Sequence, residues 1–147
     1  MLTNFAVTNY RGFAKRIEWN LSQPSNYNFN ATAIKDGIVK NGIVYGPNGS
    51  GKSNLALALF DIVNHLSQNW KKSDYYTNFA YAGNPSAPVV FEYSFHLGGY
   101  SIDYTYSKND KGMLVSEKLV VNKKEIFHRT DGDFALDQKT FPMNSRA

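Results

Sequence analysis

The residues Gly46-Pro47-Asn48-Gly49-Ser50-Gly51-Lys52-Ser53 fill every fixed position of G-x-x-x-x-G-K-[ST], the Walker A or phosphate-binding loop. A triphosphate packs several negative charges into a small volume, so its site needs many short-range donors and little side-chain bulk. Glycines at 46, 49 and 51 free the backbone to take positive φ, and N–H groups from Asn48 to Ser53 can then turn inward as a concave nest. A helix leaving the loop adds its dipole, about half a positive charge at its N-terminus. In such a cradle Lys52 sets an ammonium between the β- and γ-phosphates, and the Ser53 hydroxyl ligates the Mg²⁺ that bridges them. The pattern therefore calls for ATP or GTP with Mg²⁺. Lys52 is the catalytic candidate, Ser53 the metal ligand, and Gly46, Pro47, Asn48, Gly49, Ser50, Gly51, Lys52, Ser53 and Asn54 the nucleotide-binding set. The competing reading is a Gly-rich turn with Lys52 and Ser53 solvated at a helix start. The dinucleotide fingerprint is excluded by its different glycine spacing. Asn48 stands where G-x-S-x-G needs its first glycine, so Ser50 is not a nucleophile elbow.

The loop needs a strand behind it and a helix ahead. Gly42-Ile43-Val44-Tyr45 reads as the strand, and Asn54 to Trp70 as the helix, with Leu55, Leu59, Ile62, Val63, Leu66 and Trp70 forming one apolar stripe that packs on a sheet. Upstream, Leu2 to Thr8 and Ile17 to Leu21 alternate as strands about an Asn9-Tyr10-Arg11-Gly12 turn, Ser22 to Asn30 is a polar loop, and a further strand is expected over Ala33 to Lys40. Lys71 to Ala87 reads as a loop carrying Tyr75, Tyr76, Phe79 and Tyr81. Val89, Phe91, Tyr93 and Phe95 then alternate with polar residues, Gly98-Gly99 turns the chain, and Tyr100, Ile102, Tyr104 and Tyr106 alternate on the way back. Met113 to Val121 and Glu125 to Arg129 follow. Connections this short make an antiparallel meander. Its aromatic ladder reads as cross-strand core packing in preference to a base-stacking platform. Asp131 to Asp137 lacks the calcium-loop pattern and reads as a polar turn.

Composition narrows the class. The 147 residues suit one domain, and the absence of cysteine removes disulfides and thiolate metal sites. No basic region followed by an apolar run opens the chain, and the mostly apolar window Leu55 to Val63 is too short to span a bilayer, so a cytoplasmic protein with no membrane partner is expected. A net charge of +4 is compatible with nucleic acid without being evidence for it. His65, His96 and His128 show no ligand spacing and read as surface or packing residues.

The segment from Lys40 to Leu55, with Ser53-Asn54-Leu55 after the lysine, resembles the N-terminal part of ABC-type ATPase heads, of the RecF and SMC kind and of the "AAA family" ATP-binding proteins of bacterial defence systems. Phe5-Ala6-Val7-Thr8-Asn9-Tyr10-Arg11-Gly12-Phe13 looks like that family's first strand and its N-F-(R/K)-x-F turn, with Tyr10 in place of phenylalanine. The aromatic meander is similar to the sheet that follows the loop helix in the defence-associated proteins. The resemblance implies an α/β fold: a P-loop NTPase half-domain, ABC-ATPase-like, its helix packed on a mixed sheet beside an antiparallel β-meander. Residues 1–147 would be the N-terminal portion of one head, with 1–70 the P-loop subregion, 88–130 the meander and the C-terminal half lacking. It further implies that Arg11, Gly12 and Phe13 lie near the nucleotide. The full-length form would hydrolyse ATP as a head homodimer, in DNA repair or anti-phage defence, with DNA or an effector nuclease or toxin as partner.

Hydrolysis requires more than the cradle: an acid at a strand end to help hold Mg²⁺, a carboxylate to activate water and a signature loop. Leu57-Ala58-Leu59-Phe60-Asp61 spells four apolar residues and an acid, but inside the helix, and Gln138, the only late glutamine, reads as a tail residue in preference to the family's Q-loop residue. Nucleotide binding without efficient turnover is expected. A small nucleotide kinase or GTPase is the first alternative, although N-K-x-D and an Arg-rich lid are lacking. A non-enzymatic nucleic-acid or partner-binding module is the second.

Overall fold

Alternation of large apolar residues with polar ones builds one sheet. In the computed structural model, which describes residues 1–26, 30–67 and 73–137, seven strands pair in the order β2-β1-β5-β6-β7-β8-β9. They are β1 (Leu2–Thr8), β2 (Ile17–Asn20), β5 (Val89–Leu97), β6 (Tyr100–Lys108), β7 (Leu114–Val121), β8 (Lys124–Thr130) and β9 (Asp133–Leu136). Every pairing is antiparallel. A separate hairpin joins β3 (Ile34–Lys35) to β4 (Ile38–Val39). Two short helices, α1 (Lys52–Leu59) and α2 (Asp61–Ser67), lie between that hairpin and β5.

This corrects the α/β expectation. The structure is mostly antiparallel sheet with short helices and does not look like a P-loop NTPase fold. A parallel sheet needs strands joined by helical crossovers. Among the described residues the connection that carries α1 and α2 leads into β5, which pairs antiparallel with β1. The segment expected as the strand entering the loop, Gly42 to Tyr45, pairs with nothing among the described residues. Ile43 and Tyr45 are each 90% exposed.

The core lies where β1, β5 and β6 turn one face to the helices. Register places Val7 beside Phe91 and Phe91 beside Tyr106, and likewise Phe5 beside Tyr93 and Tyr93 beside Tyr104. All six of these residues are buried. Phe91 and Tyr106 stack at 5.0 Å, and Phe5 meets Tyr93 at 5.1 Å. The aromatic ladder is therefore core packing. The 75–81 segment, expected as a loop, adds to it: Phe79 and Ala80 are buried, and Tyr10 sits edge-on to Phe79 at 5.3 Å.

Three further expectations are revised. The Asn54 to Trp70 helix breaks at Phe60. The Tyr93 hydroxyl donates to the carbonyls of Ala58 (2.9 Å) and Leu59 (3.3 Å), acceptors a continuous helix would give to Ile62 and Val63, and Val63 N–H bonds to Phe60 instead. The break turns Asp61 and His65 toward the sheet. Leu55, Leu59 and Ile62 pack on the core, whereas Val63 and Leu66 are 55% and 63% exposed, and Trp70 lies outside the described residues. The single strand over Ala33 to Lys40 is a hairpin, because Asp36-Gly37 takes φ of 54° and 74°, the pair of left-handed residues a tight turn needs. Of the expected polar turn Asp131 to Asp137, residues Asp133–Leu136 form β9 instead.

Candidate phosphate-binding site

The loop from Gly46 to Ser53 closes on itself. Lys52 Nζ donates to the carbonyl oxygens of Gly46 and Pro47, each at 2.7 Å, and Ser50 N–H bonds to Pro47 at 3.3 Å. The ammonium thus bridges the ring that the loop describes. Gly49 and Gly51 take φ of 80° and 95°, as a nest requires, but Gly46 does not reach positive φ; a side chain there would instead crowd Ser50 Oγ at 3.1 Å. Among the described residues, the N–H groups of Gly49, Gly51, Lys52, Ser53 and Asn54 have no carbonyl partner, while Leu55 N–H begins the helical ladder on Gly51 at 2.9 Å. Gly51 caps α1 without any side-chain bond, so the helix opens on bare N–H groups. Ser53 is exposed in the first turn of α1, and Pro47 and Asn48 are exposed on the loop.

The turn at residues 10–13 meets this loop, although some forty residues separate them in sequence. A Cβ on Gly51 would lie 2.9 Å from the Phe13 ring, so glycine is required there both by φ and by that ring. A Cβ on Gly12 would lie 3.6 Å from Asn54 Nδ2, which places the Gly12 backbone over the first turn of α1. The turn is rigidly held. Tyr10 and Phe13 exchange main-chain bonds at 3.1 and 2.7 Å, and the buried Asn9 amide donates to the carbonyls of Asn84 (3.0 Å) and Ala87 (2.8 Å). Arg11 is not turned to the loop. Its Nε donates to the Tyr10 hydroxyl (3.1 Å) and its Nη2 to the Tyr75 carbonyl (2.9 Å), with the guanidinium over both rings. Gly12 and Phe13 thus join the site by contact, and Arg11 buttresses the turn behind them.

A second polar cluster lies beneath the helices and was not legible as a unit. The Asp61 side chain is fully buried. It accepts from Lys108 Nζ at 2.6 Å, from the Tyr106 hydroxyl at 2.8 Å and, on its other oxygen, from the Tyr75 hydroxyl at 3.5 Å. Burial pushes the Tyr106, Tyr75 and Tyr93 hydroxyls well above the ordinary phenolic range, so all three stay protonated and serve as donors. Asp61 is therefore a structural anion. The only sequence signal is the acid that ends Leu57-Ala58-Leu59-Phe60-Asp61 inside the expected helix. Gln138 lies outside the described residues, among which no group of three or more His, Asp and Glu side chains could hold a metal.

No protein-family model matches the chain, and no curated protein matches it. Among the described residues no helix is long and apolar enough to cross a membrane.

Proposed function

We propose that the chain binds the phosphates of a nucleoside triphosphate, ATP in the first instance, on the loop Gly46–Ser53. The observation that carries this reading is the closure of the loop by Lys52 over its own carbonyls, together with loop N–H groups that have no carbonyl partner among the described residues. The loop thus brings a positive charge and several free donors to a helix start. The residues fit Mg²⁺-ATP. On binding, Lys52 would exchange its two carbonyl contacts for phosphate oxygens, the N–H groups of Gly49, Gly51, Lys52 and Ser53 would donate to the same anion, and Ser53 would offer its hydroxyl to the metal. Bound Mg²⁺ would neutralise the phosphates and hold them in one orientation. Phe13, packed on Gly51, fixes the loop from the side.

The reading is of binding rather than turnover. The one acid of α1 and α2, Asp61, is fully engaged by Lys108 and Tyr106 and has no water-accessible surface with which to act as a base. A homodimer, action with DNA or an effector, a cytoplasmic setting and hydrolysis by a longer form belong to the same proposal and rest on the resemblance of sequence alone.

The test is calorimetric titration of wild type and Lys52→Ala with ATP and Mg²⁺, with phosphate release assayed on the same samples. Binding by wild type, weakened tenfold or more in Lys52→Ala (about 1.4 kcal/mol), is expected, with no release above background. Equal binding by the two proteins would overturn the assignment of the loop.

A further inference from the structure

Asparagine followed by glycine readily loses its side-chain amide, because glycine has no side chain to screen the next main-chain nitrogen and leaves the backbone free to turn. Two such pairs lie on the segment that leads through the loop, Asn41-Gly42 and Asn48-Gly49. All four residues are exposed. What separates the pairs is how their main chain is held.

The first pair is tethered on both sides. The N–H groups of Lys40 and Asn41 bond to the Ala33 carbonyl at 2.7 and 3.4 Å, and a Cβ on Gly42 would lie 3.3 Å from the Trp19 ring, so Gly42 rests against that ring. Asn48 and Gly49 are instead the central residues of a turn whose main-chain closure is Ser50 N–H on the Pro47 carbonyl at 3.3 Å. Gly49 takes a φ of 80° with open space around it. Among the described residues, neither the Asn48 amide nor the Gly49 N–H has a hydrogen-bond partner. Lys52 Nζ, 2.7 Å from the Pro47 carbonyl, sets its charge at the mouth of the same turn. A cation there favours loss of the proton from a neighbouring N–H and the negative charge that builds on an attacked amide oxygen.

We propose that Asn48 is a deamidation site whose conversion disables the phosphate loop. Opening of the bond from Ser50 to Pro47 lets the 48–49 peptide swing over the Asn48 side chain. The Gly49 nitrogen then attacks Asn48 Cγ. Its proton passes through water to Nδ2, the Cγ–Nδ2 bond breaks, and ammonia leaves behind a cyclic imide. One water opens the imide to aspartate or isoaspartate. Either product sets a carboxylate beside the nest, where it repels phosphate and competes for Lys52. Isoaspartate also lengthens the main chain by one carbon and carries the Gly49 N–H out of place. The modification does not depend on what the loop binds. Its consequence rests on the nucleotide reading, in which a bound triphosphate accepts from Gly49 N–H and blocks the attack.

The test is ageing of the wild-type chain at neutral to mildly alkaline pH, with trypsin digestion and fragment-ion mass spectrometry of peptide 41–52, which carries both pairs. The free peptide, aged in the same buffer, gives the rates that sequence alone dictates. In the folded chain, conversion at Asn48 is expected to outrun that at Asn41 severalfold, by a wider margin than in the peptide. A margin no wider than the peptide's would overturn the proposal. ATP-binding capacity is expected to fall in step with the converted fraction, and undiminished binding by converted chains would also overturn it. Mg²⁺-ATP present during ageing is expected to slow conversion at Asn48 and not at Asn41. Conversion at Asn48 that ATP does not slow would support the modification and count against the nucleotide reading.

Discussion

The two layers of this molecule are built on opposite logics. The sheet layer is closed: Phe5, Val7, Phe91 and Tyr106 are fully buried, and the register of β1, β5 and β6 brings them together. The layer above it, from Gly42 through α2, is half open. Val44 and Leu55 look toward β1 and β2, lining with Phe5, Ile17 and Trp19 a cleft of about 220 Å³, while Ile43 and Tyr45 project outward. Stability is thus concentrated in one layer and the phosphate-binding chemistry in the other. A few polar residues, chiefly Asp61, Tyr93 and His65, join the two. The separation leaves the loop free to change partners without disturbing the core.

The sharpest way to break this division is at the joint. Asp61→Ala leaves the Lys108 ammonium buried without its counter-ion, and a stability loss of about 3–5 kcal/mol is expected, read by urea denaturation. Replacing both partners, Asp61→Leu with Lys108→Met, should restore most of that loss, because two buried charges are then exchanged for apolar volume. A double variant as unstable as the single one would show that the pair has a role beyond mutual neutralisation.

That joint also marks where the sequence stops being legible. The meander could be read directly, because Phe91 to Phe95 and Tyr100 to Tyr106 alternate strictly and Gly98-Gly99 favours a turn. The loop could be read because its glycines and Lys52 act locally. What could not be read were features decided by residues distant in sequence. The break at Phe60 depends on a hydroxyl from Tyr93, thirty-four and thirty-five residues beyond the carbonyls it captures. Likewise Phe79 reads as a loop aromatic until Tyr10 and Phe91 are placed on either side of it. Ile43-Val44-Tyr45 has a strand's composition, but a strand exists only where a neighbour pairs with it. Asp36-Gly37 is different: its hairpin signal is local, an Asp-Gly pair of left-handed residues between Ile34-Lys35 and Ile38-Val39.

Within the loop, the two left-handed glycines make a smaller and more discriminating test. Gly51→Ala meets both an unfavourable φ of 95° and the Phe13 ring at 2.9 Å, so a loss of about 1–3 kcal/mol is expected together with weakened nucleotide binding. Gly49→Ala meets only its φ of 80°, with open space around it, and should cost about 1 kcal/mol. Paired thermal melts and ATP titrations would show the difference. Equal costs would mean that the Phe13 ring moves aside freely and that the turn at residues 10–13 does not brace the loop.

The smallest effect on stability is expected farthest from the core. Ile43 and Tyr45 are each 90% exposed, so exchanging both for lysine removes almost no buried area and should change stability by less than about 0.5 kcal/mol. Their effect should appear instead between molecules. A segment that pairs with nothing among the described residues and presents apolar side chains is open to association. Sedimentation at rising concentration should show wild type self-associating and Ile43→Lys with Tyr45→Lys remaining monodisperse. If the variant instead lost stability by several kcal/mol, these side chains would have to be packed inside the monomer, and the contrast between a closed layer and an open one would fail at the segment that defines it.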